Sequence, residues 1–337
     1  MLQTTHPSVY RAETPSPPHV LMTTPVFNDW PSLTVLLKEL DLELAAHGMS
    51  ADILAVDDGS SIPPIGSLYA AKLTAIHKVN VLRLKRNLGH QRAITIGLAY
   101  AEANLTADIV VVMDSDGEDT PIDVIRLIHT CASTNHEKIV FARRSQRSES
   151  WIFKFFYRAY RTMYRLLTGF DIQVGNFSAI PFTMLHRLVV VSEIWNHYAA
   201  GTLKSKLPQT NIPTQRGYRY RGESKMNFTS LVTHGLSAIS VYGEMVGVRL
   251  LMASCGLIGI SVVALLGVIG IRLMTHLAIP GWTSYLVVAL ISVILQAFII
   301  SLSFIFLVLI GRNNGGFLPN RDYHHFVLAL DEIIANV

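Results

Sequence analysis

The chain has 337 residues, half of them hydrophobic and only 15% charged, which argues against intrinsic disorder and against an ordinary wholly soluble domain. Its 28 basic and 24 acidic side chains leave a net charge of +4, too small a surplus to suggest a nucleic-acid partner. Two cysteines, Cys131 and Cys255, are too few for a disulfide framework and too far apart for a paired zinc motif.

Residues 1–19 carry Pro7, Pro15, Pro17 and Pro18 and no apolar run, and read as a disordered tail. Strands and helices then alternate. His19–Thr24 is a short apolar strand. Ser32–His47 has helical spacing of leucines and stops at Gly48. Ala51–Val56 is a strand that runs into Asp57-Asp58-Gly59-Ser60, and Val79–Leu84 is another. Gln91–Ala103 reads as a helix. Ile109–Met113, a buried strand by composition, ends at Asp114-Ser115-Asp116; a helix from Pro121 and a strand at Lys138–Ala142 follow. This order predicts a mainly parallel α/β sheet covered on both faces, with ligands beyond the carboxyl ends of the strands.

Three of those ends carry the chain's most distinctive polar residues: Phe27-Asn28-Asp29, Asp57-Asp58 and Asp114-Ser115-Asp116. No glycine-rich dinucleotide or P-loop motif is present to cradle phosphate. An Asp-x-Asp turn after a buried strand offers hard oxygen donors that suit Mg²⁺ or Mn²⁺, and through the ion a diphosphate.

Two uncharged stretches, Leu250–Ile271 and Tyr285–Ile310, are each long enough to cross a bilayer and predict a transmembrane hairpin at 250–311. Basic residues flank both: Arg216, Arg219, Arg221, Lys225 and Arg249 before the first, Arg312 and Arg321 after the second. The charge bias places residues up to about Val248, and the tail 312–337, on the cytoplasmic side. Segment 227–249 reads as an amphipathic juxtamembrane element, and Tyr323–Ile334 as a short amphipathic helix. Ending the chain near Val246 is expected to leave a soluble domain. His197 and His234 read as packing or surface histidines. Aromatic and basic residues interleave from Trp151 to Arg165, which fits a helix lying on an anionic membrane surface.

The series Pro25-Val26-Phe27-Asn28-Asp29, Val56-Asp57-Asp58-Gly59-Ser60, Arg86-Asn87-Leu88-Gly89-His90 and Asp114-Ser115-Asp116 resembles family 2 glycosyltransferases of the Rossmann-like GT-A fold. The subgroup it resembles acts on polyprenyl phosphates, like dolichol-phosphate mannosyltransferases. Arg219-Tyr220-Arg221-Gly222-Glu223-Ser224-Lys225 is similar to that subgroup's RxxGxSK segment, and the resemblance spans about residues 20–312. It implies a catalytic domain at 20–226 that moves a sugar from a nucleotide sugar to a polyprenyl phosphate at the cytoplasmic membrane face.

The same resemblance implies residue roles. Pro25, Phe27, Asp29, Asp57, Asp58, Asn87, Gly89, His90, Asp114 and Ser115 would bind the nucleotide sugar. Asp114, Asp116 and Glu118 would hold the metal; Glu118 stands where the subgroup has glutamine. Arg219 and Lys225 would act with Asp116 in transfer; on physical grounds apart from the resemblance, Ser224 and the basic Arg143, Arg144 and Arg147 after a strand end suit an anionic acceptor phosphate at the membrane surface. A homo-oligomer is compatible with an anchored hairpin. The rival readings are a processive polysaccharide synthase, whose QxxRW segment is absent here, and a non-catalytic anchor that kept the fold, which the intact acids oppose.

Overall fold

A computed structural model describes residues 18–64, 66–69, 71–144, 151–171, 174–221, 228–275, 281–313 and 316–335. In chain order the first half contains β1 (Val20–Val26), α1 (Trp30–Ala46), β2 (Ala51–Asp57), α2 (Gly66–Tyr69), β3 (Ile76–Leu84), α3 (His90–Asn104), β4 (Ile109–Val112), α4 (Pro121–Ser133) and β5 (Ile139–Arg144). There follow α5 (Trp151–Thr168), β6 (Ser178–Pro181), α6 (Phe182–Leu188), a 3₁₀ turn at Ser192–Trp195, α7 (Tyr198–Lys204), β7 (Gln209–Thr214) and α8 (Phe228–Ser240). The chain ends with α9 (Gly243–Met274), α10 (Trp282–Asn313), α11 (Pro319–Asp322), a 3₁₀ turn at Tyr323–His325 and β8 (Val327–Ala335).

The strands form one sheet in the order β7-β5-β6-β4-β1-β2-β3-β8. β1 pairs in parallel with β2 and β4, β2 with β3, and β5 with β7; β6 and β8 run against their neighbours. Alternate side chains of the central strands feed opposite layers. Met22, Ile53 and Val111 join α1 and α4 on one face, while Leu21, Leu54 and Val112 join α3 on the other. Both faces are therefore apolar, which is why these strands read as continuous hydrophobic runs. Six carboxyl ends share one rim. Asp41 holds part of this frame from below: its carboxylate accepts the backbone N–H groups of Thr74, Ala75 and Ile76 and so fixes the start of β3.

The tail departs from the sequence expectation. Tyr323–Ile334 does not form a helix: Tyr323–His325 is a 3₁₀ turn, and Val327–Ala335 pairs antiparallel with β3 from Leu84↔Val327 to Lys78↔Ala335. Leu, Ala and Glu favour helix in isolation, but the open edge of β3 offers a row of unmet backbone donors and acceptors, and satisfying them overrides local propensity. Aromatic packing fixes the return path. Phe317 lies on Trp195 with ring centroids 3.8 Å apart, Phe326 lies 5.3 Å from the same ring, and Tyr323 meets Tyr100 edge-on. The segment set apart in the sequence as a tail thus completes the sheet.

The two long helices extend beyond the expected spans, from Gly243 rather than 250 and from Trp282 rather than 285. Only 11% of the most apolar window of each is buried, so neither is a core helix, and length and composition suit a bilayer. They pack through small residues one heptad apart on α9: Gly247, Ser254 and Ser261 are buried, and the Ser254 and Ser301 hydroxyls lie 2.7 Å apart. A Cβ at Gly247 would sit 2.4 Å from Val308.

His197 and His234 are packing histidines, with rings 4.6 Å apart, and they join α7 to α8. Nδ1 of His197 accepts the Ala200 N–H and caps α7, which requires a neutral ring. Burial, with His234 beside it, pushes the His197 pKa down to about 3.

Two outcomes follow from this architecture. Removing 327–337, or ending the chain near Val246, strips β8 from β3 at about 1 kcal/mol per lost ladder hydrogen bond. Either truncation should lower the melting temperature by many degrees and promote aggregation, and size-exclusion chromatography with thermal scanning checks this. The second outcome concerns pH. The unfolded chain binds the His197 proton near pH 6.5 and the folded chain only near 3. This stability is complete above pH 6.5 and is lost as pH falls, by about 2 kcal/mol at pH 5. His197→Asn, which can still cap α7, should flatten the melting temperature against pH between 6.5 and 4.5; an unchanged slope would refute the assignment.

Candidate active site

The site is built on the shared rim of carboxyl ends. After β2, the buried Asp58 carboxylate accepts the N–H of Leu88 at 2.7 Å and of Gly89 at 2.9 Å, which ties the loop before α3 to the end of β2. Burial nonetheless raises the Asp58 pKa, the two N–H groups and His90 opposing it. Gly59 makes the tie possible: its φ is +69°, and a Cβ there would lie 2.6 Å from the backbone of Arg86. Asp57 closes its own turn by accepting the Ser60 N–H. Asn28, at φ +52°, accepts the Ser61 and Ile62 N–H groups and binds the β1 end to the β2 loop.

The turn after β4 carries the densest charge. Ser115 Oγ donates to the Pro25 carbonyl and fastens the turn to β1. The Asp114 carboxylate meets His90 Nε2 at 3.1 Å, and its N–H donates to Asp119. Burial would depress His90, but Asp114, backed by Asp119 and Asp116, holds its pKa above the usual value. The Asp116 carboxylate accepts the Glu118 N–H and pairs with Arg219. Burial raises the Asp116 pKa, as do Asp114 and Glu118; the Glu118 N–H and Arg219 oppose the rise.

A strap leads from β7 across this turn. The Tyr220 N–H donates to the Asp116 carbonyl and the Gly217 N–H to the Glu118 carbonyl, both at 2.9 Å. Arg216 grips the Glu118 carboxylate, Nε to Oε2 at 2.9 Å, and Arg219 lies between Asp116 and Glu118. The strap lies so close that a Cβ at Gly117 would meet the Tyr220 ring at 2.6 Å. Arg219 does not stand free on the surface: its side chain is 27% exposed and set among the acids.

The structure gathers most of the sequence-predicted residues on the rim: Pro25, Asp57, Asp58, Gly89, His90, Asp114, Ser115, Asp116, Glu118 and Arg219. Phe27 and Asn87 are exposed there, and Asp29 is the N-terminal cap position of α1 without a side-chain capping bond. Arg143 and Arg144 end β5 on the same rim, with Arg143 exposed. Arg147, Ser224 and Lys225 lie outside the described residues. Sequence reasoning missed Asp119, Tyr220 and the Gln91–Asn176–His90 hydrogen-bond chain. Only Asp119 had a visible signal, as a third aspartate on the same turn.

Among the described residues, no three His, Cys, Asp or Glu side chains converge as ligands, and Glu118 is committed to Arg216 and Arg219. Asp114 and Asp116 still fit a hard divalent ion: they are oxygen donors on one turn, and their mutual repulsion is the kind a cation relieves.

Sequence and structure comparisons find proteins similar to this chain. The undecaprenyl-phosphate 4-deoxy-4-formamido-L-arabinose transferase of Enterobacter sp. (strain 638) is 28% identical over 243 residues, covering 66% of this chain and 71% of that protein. The uncharacterized glycosyltransferase YkcC of Bacillus subtilis (strain 168) is 26% identical, covering 71% and 73%. Among solved structures, mannosyl-3-phosphoglycerate synthase from Rubrobacter xylanophilus is 13% identical with a TM-score of 0.47, covering 66% of this chain and 72% of that one. Glucosyl-3-phosphoglycerate synthase from Mycobacterium tuberculosis, in complex with Mn²⁺, UDP-glucose and phosphoglyceric acid, is 15% identical with a TM-score of 0.46, covering 68% and 80%. The profile described as Glycosyl transferase family 2 matches residues 23–195, just over half the chain and the part that carries the acidic rim from β1 to the turn after β4, so the chain belongs to that family.

Proposed function

We propose that this glycosyltransferase moves a sugar from a nucleotide sugar to a polyprenyl phosphate at the cytoplasmic face of a membrane. The observation that carries the reading is the acidic turn after β4, strapped by Arg216 and Arg219, in a chain that also holds two largely unburied apolar helices. The name of the Enterobacter relative, an undecaprenyl-phosphate transferase, supports the acceptor class. The basic flanks of α9 and α10 support the cytoplasmic side.

In this reading the rim left by Pro25, Phe27, Asp29 and Asp57 takes the base, and the loop tied by Asp58 brings Asn87, Gly89 and His90 to the ribose and sugar. Asp114 and Asp116 would hold Mg²⁺ or Mn²⁺, which supplies countercharge to a departing diphosphate. Ser115 keeps that turn in register. Arg219 turns from Asp116 toward phosphate oxygens, its planar guanidinium suited to bidentate contact. Lys225 adds charge to the same diphosphate, and Arg143, Arg144, Arg147 and Ser224 steady the acceptor phosphate. That phosphate is already an anion near neutral pH, so its oxygen can attack without a strong general base. The bond from the sugar to the diphosphate breaks as the bond to the lipid phosphate forms.

The test is a panel of nucleotide sugars offered with a polyprenyl phosphate to the full-length protein, with and without Mn²⁺; no lipid-linked sugar from any donor would overturn the reading. Asp116→Asn should cut turnover by 10²-fold or more, since it weakens charge stabilisation of the leaving group. Its melting temperature should hold within a few degrees, because burial and Asp114 already disfavour the charge. Arg219→Ala should lower both turnover and stability, since it leaves Asp116 and Glu118 crowded without that guanidinium. Arg219→Lys should regain most of the stability and less of the rate.

A further inference from the structure

Away from the acidic rim, a cavity of about 400 Å³ opens where α5 meets the start of α9. Thr162, Arg165 and Leu166 line it from α5, at i, i+3 and i+4, so they form one stripe of the helix; Gly169, just past the helix end, and Arg249 of α9 complete it. Two guanidinium groups face one cavity, and its lining contains no acid.

The two arginines are held differently. Arg249 is built in: Nη1 donates to the Leu166 carbonyl at 2.6 Å, at the negative end of α5. Gly169, at φ +80°, makes room, since a Cβ there would lie 2.5 Å from Arg249 Nη2. Arg165 is exposed, and among the described residues its guanidinium has no hydrogen bond or ion pair. Arg249 is also the last charge before the 22 uncharged residues Leu250–Ile271. Leu166 of the lining is 70% exposed, and Met252, one helical turn on from Arg249 in α9, is exposed as well. If α9 crosses the bilayer, as the proposed function holds, the cavity lies at the depth of phospholipid phosphates, with aliphatic side chains toward the acyl region.

We propose that this cavity is a binding site for the headgroup of an anionic phospholipid, with Arg165 and Arg249 on the phosphate and Leu166 and Met252 against the chains. A lipid seated there would join α5 to the membrane helix and set the catalytic domain at a fixed height above the surface. Charge complementarity selects an anion, and the apolar border selects one that carries acyl chains. The acceptor lipid is an anion at the same depth, but the proposed acceptor cations Arg143, Arg144 and Arg147 precede α5 and none of them lines this cavity.

The test uses full-length protein, delipidated in a neutral detergent and given phosphatidylglycerol, phosphatidylcholine, undecaprenyl phosphate or inorganic phosphate. Native mass spectrometry reads lipid retention and thermal scanning reads stabilisation. Phosphatidylglycerol should be retained about tenfold better than phosphatidylcholine and should raise the melting temperature. Arg165→Gln should remove about tenfold of that retention, the loss of one charge-assisted contact, and Arg165→Lys should keep most of it. Thr162→Tyr, which fills the cavity and leaves every charge in place, should also expel the lipid. Equal retention of phosphatidylglycerol by wild type and Arg165→Gln would overturn the site. So would an Arg165-dependent preference for undecaprenyl phosphate, or an equal response to inorganic phosphate. Alkaline carbonate extraction separates this failure from failure of the membrane reading. Wild type and Arg165→Gln should both stay with membranes; if the wild type washes off, anchoring fails and this site falls with it.

Discussion

Repulsion among carboxylates on one turn is the constraint around which the catalytic half is organised. Asp114, Asp116, Glu118 and Asp119 lie within six residues after β4, and the parallel sheet sets Asp57 and Asp58 beside them. Such crowding is costly unless each charge has a partner. Each compensation seen here also shapes the site. His90 leans on Asp114, backbone N–H groups answer Asp58, and a strap from β7 brings Arg216 and Arg219 to Glu118 and Asp116. The elements that balance the charge are those that would meet a diphosphate, so the site is held ready by the same forces a charged ligand would replace.

That arrangement explains why glycines recur at the rim. Gly59 lets the Arg86–Gly89 loop press onto the β2 turn, and Gly117 lets Tyr220 cover the acidic turn. In both places backbone must approach within the radius of a side chain, and in both φ is positive. The close approach is also what allows N–H groups, rather than mobile side chains, to do much of the neutralising.

The membrane half is coupled to the catalytic half at two places rather than hung from one linker. Just before the first long helix Tyr242 stacks on Phe170, and in that helix's second turn Arg249 caps α5. After the second, the chain returns through the Phe317–Trp195 contact and enters the sheet as β8. The hairpin is therefore a loop of the catalytic domain in the topological sense. Its orientation is fixed by packing at both ends, which suits an enzyme whose acceptor is confined to a plane.

How much of this was legible in the sequence varies with the range of the interaction. Apolar runs and helical spacing located β1–β5 and α1, α3 and α4 to within a few residues, because both faces of the sheet are buried and each strand carries that burial in its own composition. The family motifs marked the rim for the same reason: each sits on a turn whose conformation is local. Two long uncharged stretches declared the hairpin without reference to anything else. The partners of the charges were a different matter. That Arg219 would lie on Asp116, 103 positions earlier, or that Glu118 would face Arg216, depends on where β7 delivers the strap. The tail is the clearest case. Val327–Ala335 carries a helix-favouring composition and became a strand because β3, some 250 residues earlier, had an open edge to fill. Composition and periodicity report burial and local conformation, so they located the strands, the turns and the spans. Pairing across the sheet and ion pairing across the rim depend on which distant backbone is left unsatisfied, and only the tertiary structure decides that.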